Sequence, residues 1–217
     1  EADQWGVITN DETNEKIDFG GDDRLFPMIS IIDPELMKTV PAKFTTYQGF
    51  DALFHSTESY ISKFASLMSD MYALTAIENA AKYLPRAVKD GSDMQAREHM
   101  AFASTISGVV MTVSVTTAEH SIEHAMSAYH HELPHGAGLI MISKAFYEFF
   151  IDKHACDERF IAMAKAMGIK EADKPEDFIT VLVDLQKACG VEELKMSYYG
   201  ITPDRSEEHT SELQSQD

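Results

Sequence analysis

HHELPHGAG, residues 130–138, decides how the helical part of this chain is divided. Its core, HELPH, fits the HExxH pattern, in which two His four apart on one helical turn face a Zn²⁺ and the Glu beside them acts as general base. A helix running through the stretch would make a metalloprotease. Pro134, however, stands immediately before the second His. Proline has no N–H, and its ring clashes with the carbonyl four residues back, at a cost of about 3 kcal/mol inside a helix. His131 and His135 are therefore not expected to share a helical face. Pro134 suits a helix start, with His135 in the first turn of the next helix. His135 then needs other partners.

Outward from that break, apolar periodicity predicts helices near 48–64, 69–84, 93–128, 135–153, 157–168 and 174–189, an all-α domain. Ser92 with Gln95, and Asp173 with Glu176, read as capping boxes, and Gly190 closes the last helix. Residues 100–118 form a 19-residue run without a charge, but seven Ser or Thr and Gly108 make it weakly apolar for a lipid-exposed span. It reads as a buried core helix.

The first forty-odd residues differ. WGVIT is apolar and β-branched, NDETNEK supplies turn chemistry, and FPMISII is a second β-like run ending at Asp33-Pro34. Two strands cannot bury both faces alone, so residues 1–42 read as the edge of something larger. The opening is polar and acidic, unlike a signal peptide. At the other end, RSEEHTSELQS follows a Thr202-Pro203-Asp204 turn without apolar periodicity. It resembles the in-frame translation of a short-read sequencing adaptor, so residues 205–217 are expected to be a foreign tail that contributes nothing to the fold.

The 217 residues suffice for a real core, and 44% of them are hydrophobic. A net charge of −18 argues against nucleic acid or an anionic membrane as partner, since both need basic patches. Two cysteines, Cys156 and Cys189, are too few for a disulfide framework or a Cys-based zinc site and fit a reducing, cytoplasmic setting.

Histidine is the most informative residue type. Of nine, five fall between His120 and His135. His120 and His124 are four apart on a predicted helix, hence on one face, and Asp51 and His55 in GFDALFHSTE are four apart on another. Imidazole and carboxylate together suit a borderline divalent ion such as Fe²⁺ or Zn²⁺. Pairs from two helices plus His135 after a turn could surround one ion. Spacing alone leaves a chance pairing of polar residues equally open.

GFDALFHSTE, followed by AEHSIEHAMSAYHHELPHGAG, resembles the iron-containing (group III) alcohol dehydrogenases, especially the butanol dehydrogenase-like branch. IIDPELMKTVP, with Asp33 and Pro41, resembles that family's entry to the metal-binding half. The resemblance implies metal ligands at Asp51, His55, His120 and His135, and a further His near the nicotinamide at His124. It implies Fe²⁺ (Zn²⁺ possible) with NAD(H) or NADP(H), a small alcohol or aldehyde as substrate, and a homo-oligomeric full-length protein. His124 is the candidate for relaying the hydroxyl proton. Thr46 and Gln48 depart from the family's apolar and small residues. His130, His131, His99 and His154 match no ligand and are expected at the surface, and Glu58 is a helix residue without an assigned role.

The same resemblance implies that residues 1–42 are the last β-strands of a truncated nucleotide-binding α/β domain, with the helical iron-binding domain at 43–204. The fold class is thus mainly α. The isolated chain is expected to be aggregation-prone and at best a weak metal binder, without dehydrogenase turnover. Two rivals remain: a Zn²⁺-dependent polyol dehydrogenase or dehydroquinate synthase-like relative, and a non-catalytic helical metal-binding module. A His-Asp phosphohydrolase fails because no His-Asp dipeptide occurs.

Overall fold

In a computed structural model that describes residues 3–202, the periodic segments fold into α1 (Ala42–Ile61), α2 (Leu67–Lys89), α3 (Met94–Val113), α4 (Ala118–Tyr129), α5 (His135–Asp152), α6 (Asp157–Ala166) and α7 (Glu176–Ala188). The foreign-tail reading of residues 205–217 falls outside the described residues. Ahead of the helices lies one antiparallel hairpin, β1 (Gly6–Asn10) and β2 (Glu15–Phe19), paired from Gly6↔Phe19 to Asn10↔Glu15. α2 packs along both α1 and α3, α1 also meets α5, and α5 packs on α4 and α7. An aromatic cluster fills the centre: Tyr147 lies 5.1 Å from Phe178 and 6.1 Å from Phe160, ring centre to ring centre, with Phe54 at 6.2 Å.

Several local expectations change. FPMISII is not a strand: Pro27 removes a ladder donor, the run has no strand neighbour among the described residues, and Met28, Ile29 and Ile31 are largely exposed. β2 is built instead from residues 15–19, which the sequence offered partly as turn. α1 begins at Ala42, earlier than residue 48, and α2 continues through Pro85 to Lys89 rather than stopping at 84. The N-cap of α3 is Asp93, whose carboxylate accepts from Ala96 N–H at 3.0 Å, not Ser92. The Asp173–Glu176 box does not form; Asp177 instead accepts from the Asp173 N–H at 3.1 Å. Gly190 does close α7, at φ 69°, with Val191 N–H donating to Gln186 O at 3.0 Å.

The expected single helix over 93–128 is two. α3 ends at Val113, Ser114 turns extended, and α4 leaves at 105° to α3. Thr117, at the N-cap of α4, supplies no side-chain cap. The cap comes from Glu58 on α1, whose Oε1 accepts from Thr117 N–H (2.9 Å), Thr117 Oγ1–H (2.6 Å) and Glu119 N–H (2.9 Å). A buried carboxylate thus takes up orphan donors of the helix start and meets its positive end. The uncharged 100–118 run straddles this bend, and among the described residues no single helix is long and apolar enough to cross a membrane.

Candidate metal centre

α1, α4 and α5 converge at one point. Asp51 and His55 sit one turn apart on α1, His120 is in the first turn of α4, and His135 opens α5 directly after Pro134. His131 stays in the preceding loop, its Nε2 at 2.8 Å from Ala128 O, so HELPH is not a helical pair. Two glycines let α5 come close enough. A Cβ on Gly136 would lie 2.3 Å from the Tyr47 carbonyl oxygen of α1, and one on Gly138 would lie 2.6 Å from Glu123 Cγ of α4.

The outcome is a shell of nitrogens around one oxygen. Asp51 Oδ1 lies 3.3 Å from His120 Nε2, 3.4 Å from His135 Nε2 and 3.7 Å from His55 Nε2. The rings of His55 and His120 stack at 4.4 Å. Donors bound at about 2.1 Å to one tetrahedral ion stand about 3.4 Å from each other, so the residues fit a small divalent cation. Asp51, His55 and His120 offer atoms all within 4.8 Å of one another, as do Glu123, His124 and His135.

Buried carboxylates back this shell. Glu58 Oε2 pairs with His120 Nδ1, and Glu123 Oε2 with His135 Nδ1; neither Glu side chain is exposed. Burial works against the charge on Asp51, yet His55, His120 and His135 hold its carboxyl well below the usual range. Burial likewise opposes a proton on His135, but hydrogen bonds to Asp51 and Glu123 raise its pKa to about 9. Burial and the neighbouring His135 push His124 down to about 4. Glu119, buried beside Glu58, is pushed well above the ordinary carboxylate range by burial and that charge. It meets Tyr147, whose hydroxyl shares a 2.6 Å hydrogen bond with Thr57.

A cavity of about 450 Å³ opens beside the shell, with His124, Met111 and Thr116 on the helical side and Trp5, Lys16 and Asp18 on the hairpin. His124 Nδ1 lies 3.4 Å from Asp18 Oδ1 of β2, and its ring centre lies 5.1 Å from that of His135. Among the described residues, the remaining histidines stand apart. His154 is exposed and pairs with Asp157, His130 is half-buried at the end of α4, and His99 is half-buried rather than exposed, stacked 3.7 Å from Tyr83.

The sequence reading left Glu58 without a role and passed over Glu123. Their signal was a shared offset: Glu58 follows His55 by three residues, and Glu123 follows His120 by three. The sequence model of a family described as Fe-containing alcohol dehydrogenase family, C-terminal, matches residues 45–213. The chain belongs to this family. It is 33% identical to a choline dehydrogenase of Bacillus subtilis over 219 residues, 98% of this chain and 52% of that protein. It is 39% identical to an NAD-dependent methanol dehydrogenase of Bacillus methanolicus over 53% of this chain and 30% of that one. A solved alcohol dehydrogenase from an archaeal, halo-thermophilic Red Sea brine-pool source superposes with a TM-score of 0.89 at 33% identity, over 96% of this chain and 53% of that one. The chain thus covers about half the length of the first and third of these relatives and 30% of the second.

Proposed function

We propose that this chain carries the metal-binding part of an NAD(P)-linked alcohol dehydrogenase or aldehyde reductase acting on a small primary alcohol or aldehyde. The observation that carries the reading is the grouping of three imidazole Nε2 atoms within 3.3–3.7 Å of Asp51 Oδ1. Asp51, His55, His120 and His135 would hold a divalent ion, Fe²⁺ by family membership, with Zn²⁺ compatible with the same donors. Bound there, the ion supplies Lewis-acid polarisation of the oxygen on the carbon that gains or loses hydride. The nicotinamide named for the methanol dehydrogenase relative is the hydride partner proposed here.

The chain's own residues divide the remaining work. His124 lines the cavity beside the shell, with Asp18 against its Nδ1 to hold the ring. It is placed to steer the substrate hydroxyl and pass its proton. Met111 and Trp5 give the same cavity apolar wall for a short carbon chain.

The test is ion binding. His120→Ala should abolish tight Fe²⁺ or Zn²⁺ binding measured by chelator competition, and His131→Ala should leave it unchanged. Equal losses in both variants would overturn the assignment and return the HELPH pair to consideration.

A further inference from the structure

Each helix of the shell contributes more than its own donor. α1 carries His55 and, three residues on, Glu58, which pairs with Nδ1 of His120 on α4. α4 carries His120 and, three residues on, Glu123, which pairs with Nδ1 of His135 on α5. The carboxylate that faces each of these two imidazoles therefore comes from another helix of the shell, one earlier in the chain. Both carboxylates are fully buried, and a buried carboxylate needs a donor facing it.

We infer that Glu58 and Glu123 are positioning residues that aim His120 and His135 for ion binding. This rests on the proposed metal centre. A neutral imidazole that donates Nδ1–H to a carboxylate presents the lone pair of Nε2 on its other side. Here that side is Asp51 Oδ1, at 3.3 Å from His120 and 3.4 Å from His135. The carboxylates thus select the one neutral tautomer able to bind a cation at the centre and fix the ring planes. Glu58 does a second thing with its other oxygen. The same residue that aims His120 caps α4, the helix that carries it. Ring orientation and helix position are set by one side chain.

Glutamine separates these two duties. In Glu58→Gln the amide oxygen can still accept from Thr117 and Glu119, keeping the α4 cap. The amide NH₂ then faces His120 Nδ1 and suits only a lone pair there. The imidazole proton moves to Nε2, where it points at Asp51 and blocks the cation. Glu123→Gln does the same to His135 and touches no helix cap. We expect each variant of the full chain to keep the parent's far-UV circular dichroism and apo melting temperature while binding Zn²⁺ roughly 10- to 100-fold more weakly. The Co²⁺ visible spectrum should also change. Should Glu58→Gln fail to fold, Glu123→Gln carries the test. Unchanged Zn²⁺ affinity in both folded variants overturns the inference, as does loss of the apo fold in both, since the carboxylates would then serve packing alone. Absence of Zn²⁺ binding in the parent is a separate result and overturns the metal centre itself.

Discussion

Gly136 is where one missing methyl group decides a helix contact. An alanine there would gain up to about 1 kcal/mol in helix propensity. Its Cβ would also sit 2.3 Å from the Tyr47 carbonyl, main chain that no rotamer change can move aside. Overpacking of this kind costs about 1–3 kcal/mol, and the overlap wins. Gly136→Ala should destabilise the fold by about 2 kcal/mol in urea titrations and weaken Zn²⁺ binding by displacing His135. A second residue-scale expectation concerns Cys189, whose thiol is pushed up to about 12 by burial. The folded thiol holds its proton where the unfolded one has released it. That contribution to stability is complete below the ordinary thiol pKa and is lost as pH rises through about 12. Cys189→Ala should therefore flatten part of the alkaline limb of stability against pH. At this scale four-residue spacings and a proline alone left a chance pairing open; Asp51, His55, His120 and His135 were legible as ligands through the family resemblance of their motifs. Glu58 and Glu123 were not, because a Glu three residues past a helical His is usually a solvated charge. Only the arrival of another helix makes it a partner.

Among the elements, α2 shows how far packing overrides a local stop signal. Pro85 forfeits an internal hydrogen bond, yet the helix continues to Lys89. Leu84 and Ala87 on either side are fully buried, and Arg86 is tied to Asp93 at 2.8 Å. A proline inside a helix costs about 3 kcal/mol, while its stiffening of the unfolded chain returns about 0.4–1 kcal/mol. Pro85→Ala should therefore stabilise the protein by about 2 kcal/mol, read as a higher melting temperature. The division between α3 and α4 could not be read locally. Ser114-Val115-Thr116-Thr117 contains neither Gly nor Pro, and the capping carboxylate lies 59 residues before Thr117. Residues 26–32 fail in the opposite sense. Their β-branched composition signals a strand, but a strand exists only with a neighbour to pair with.

At the scale of the molecule, spacing only suggested that residues from separate helices could surround one ion, while the mainly helical class was legible from periodicity. The hairpin's role as one wall of the cavity was not. It depends on Asp18 meeting His124, a tertiary contact at 3.4 Å that no local pattern announces. The three helices meet at Asp51 from distant parts of the chain, with His120 69 residues beyond it. Both cysteines are free, so among the described residues no covalent tie spans that interval. An ion bound to Asp51 and His120 would be such a tie, a reversible cross-link closing a loop whose covalent counterpart is worth about 4 kcal/mol of chain entropy. Stripping the ion with a chelator should lower the melting temperature, and saturating Zn²⁺ should restore it in step with concentration. An unchanged melting temperature would rule the cross-link out. With such a cross-link in place, the helical domain would owe its cohesion in part to the ion where its three helices meet, so that losing the cofactor and loosening the fold become a single event.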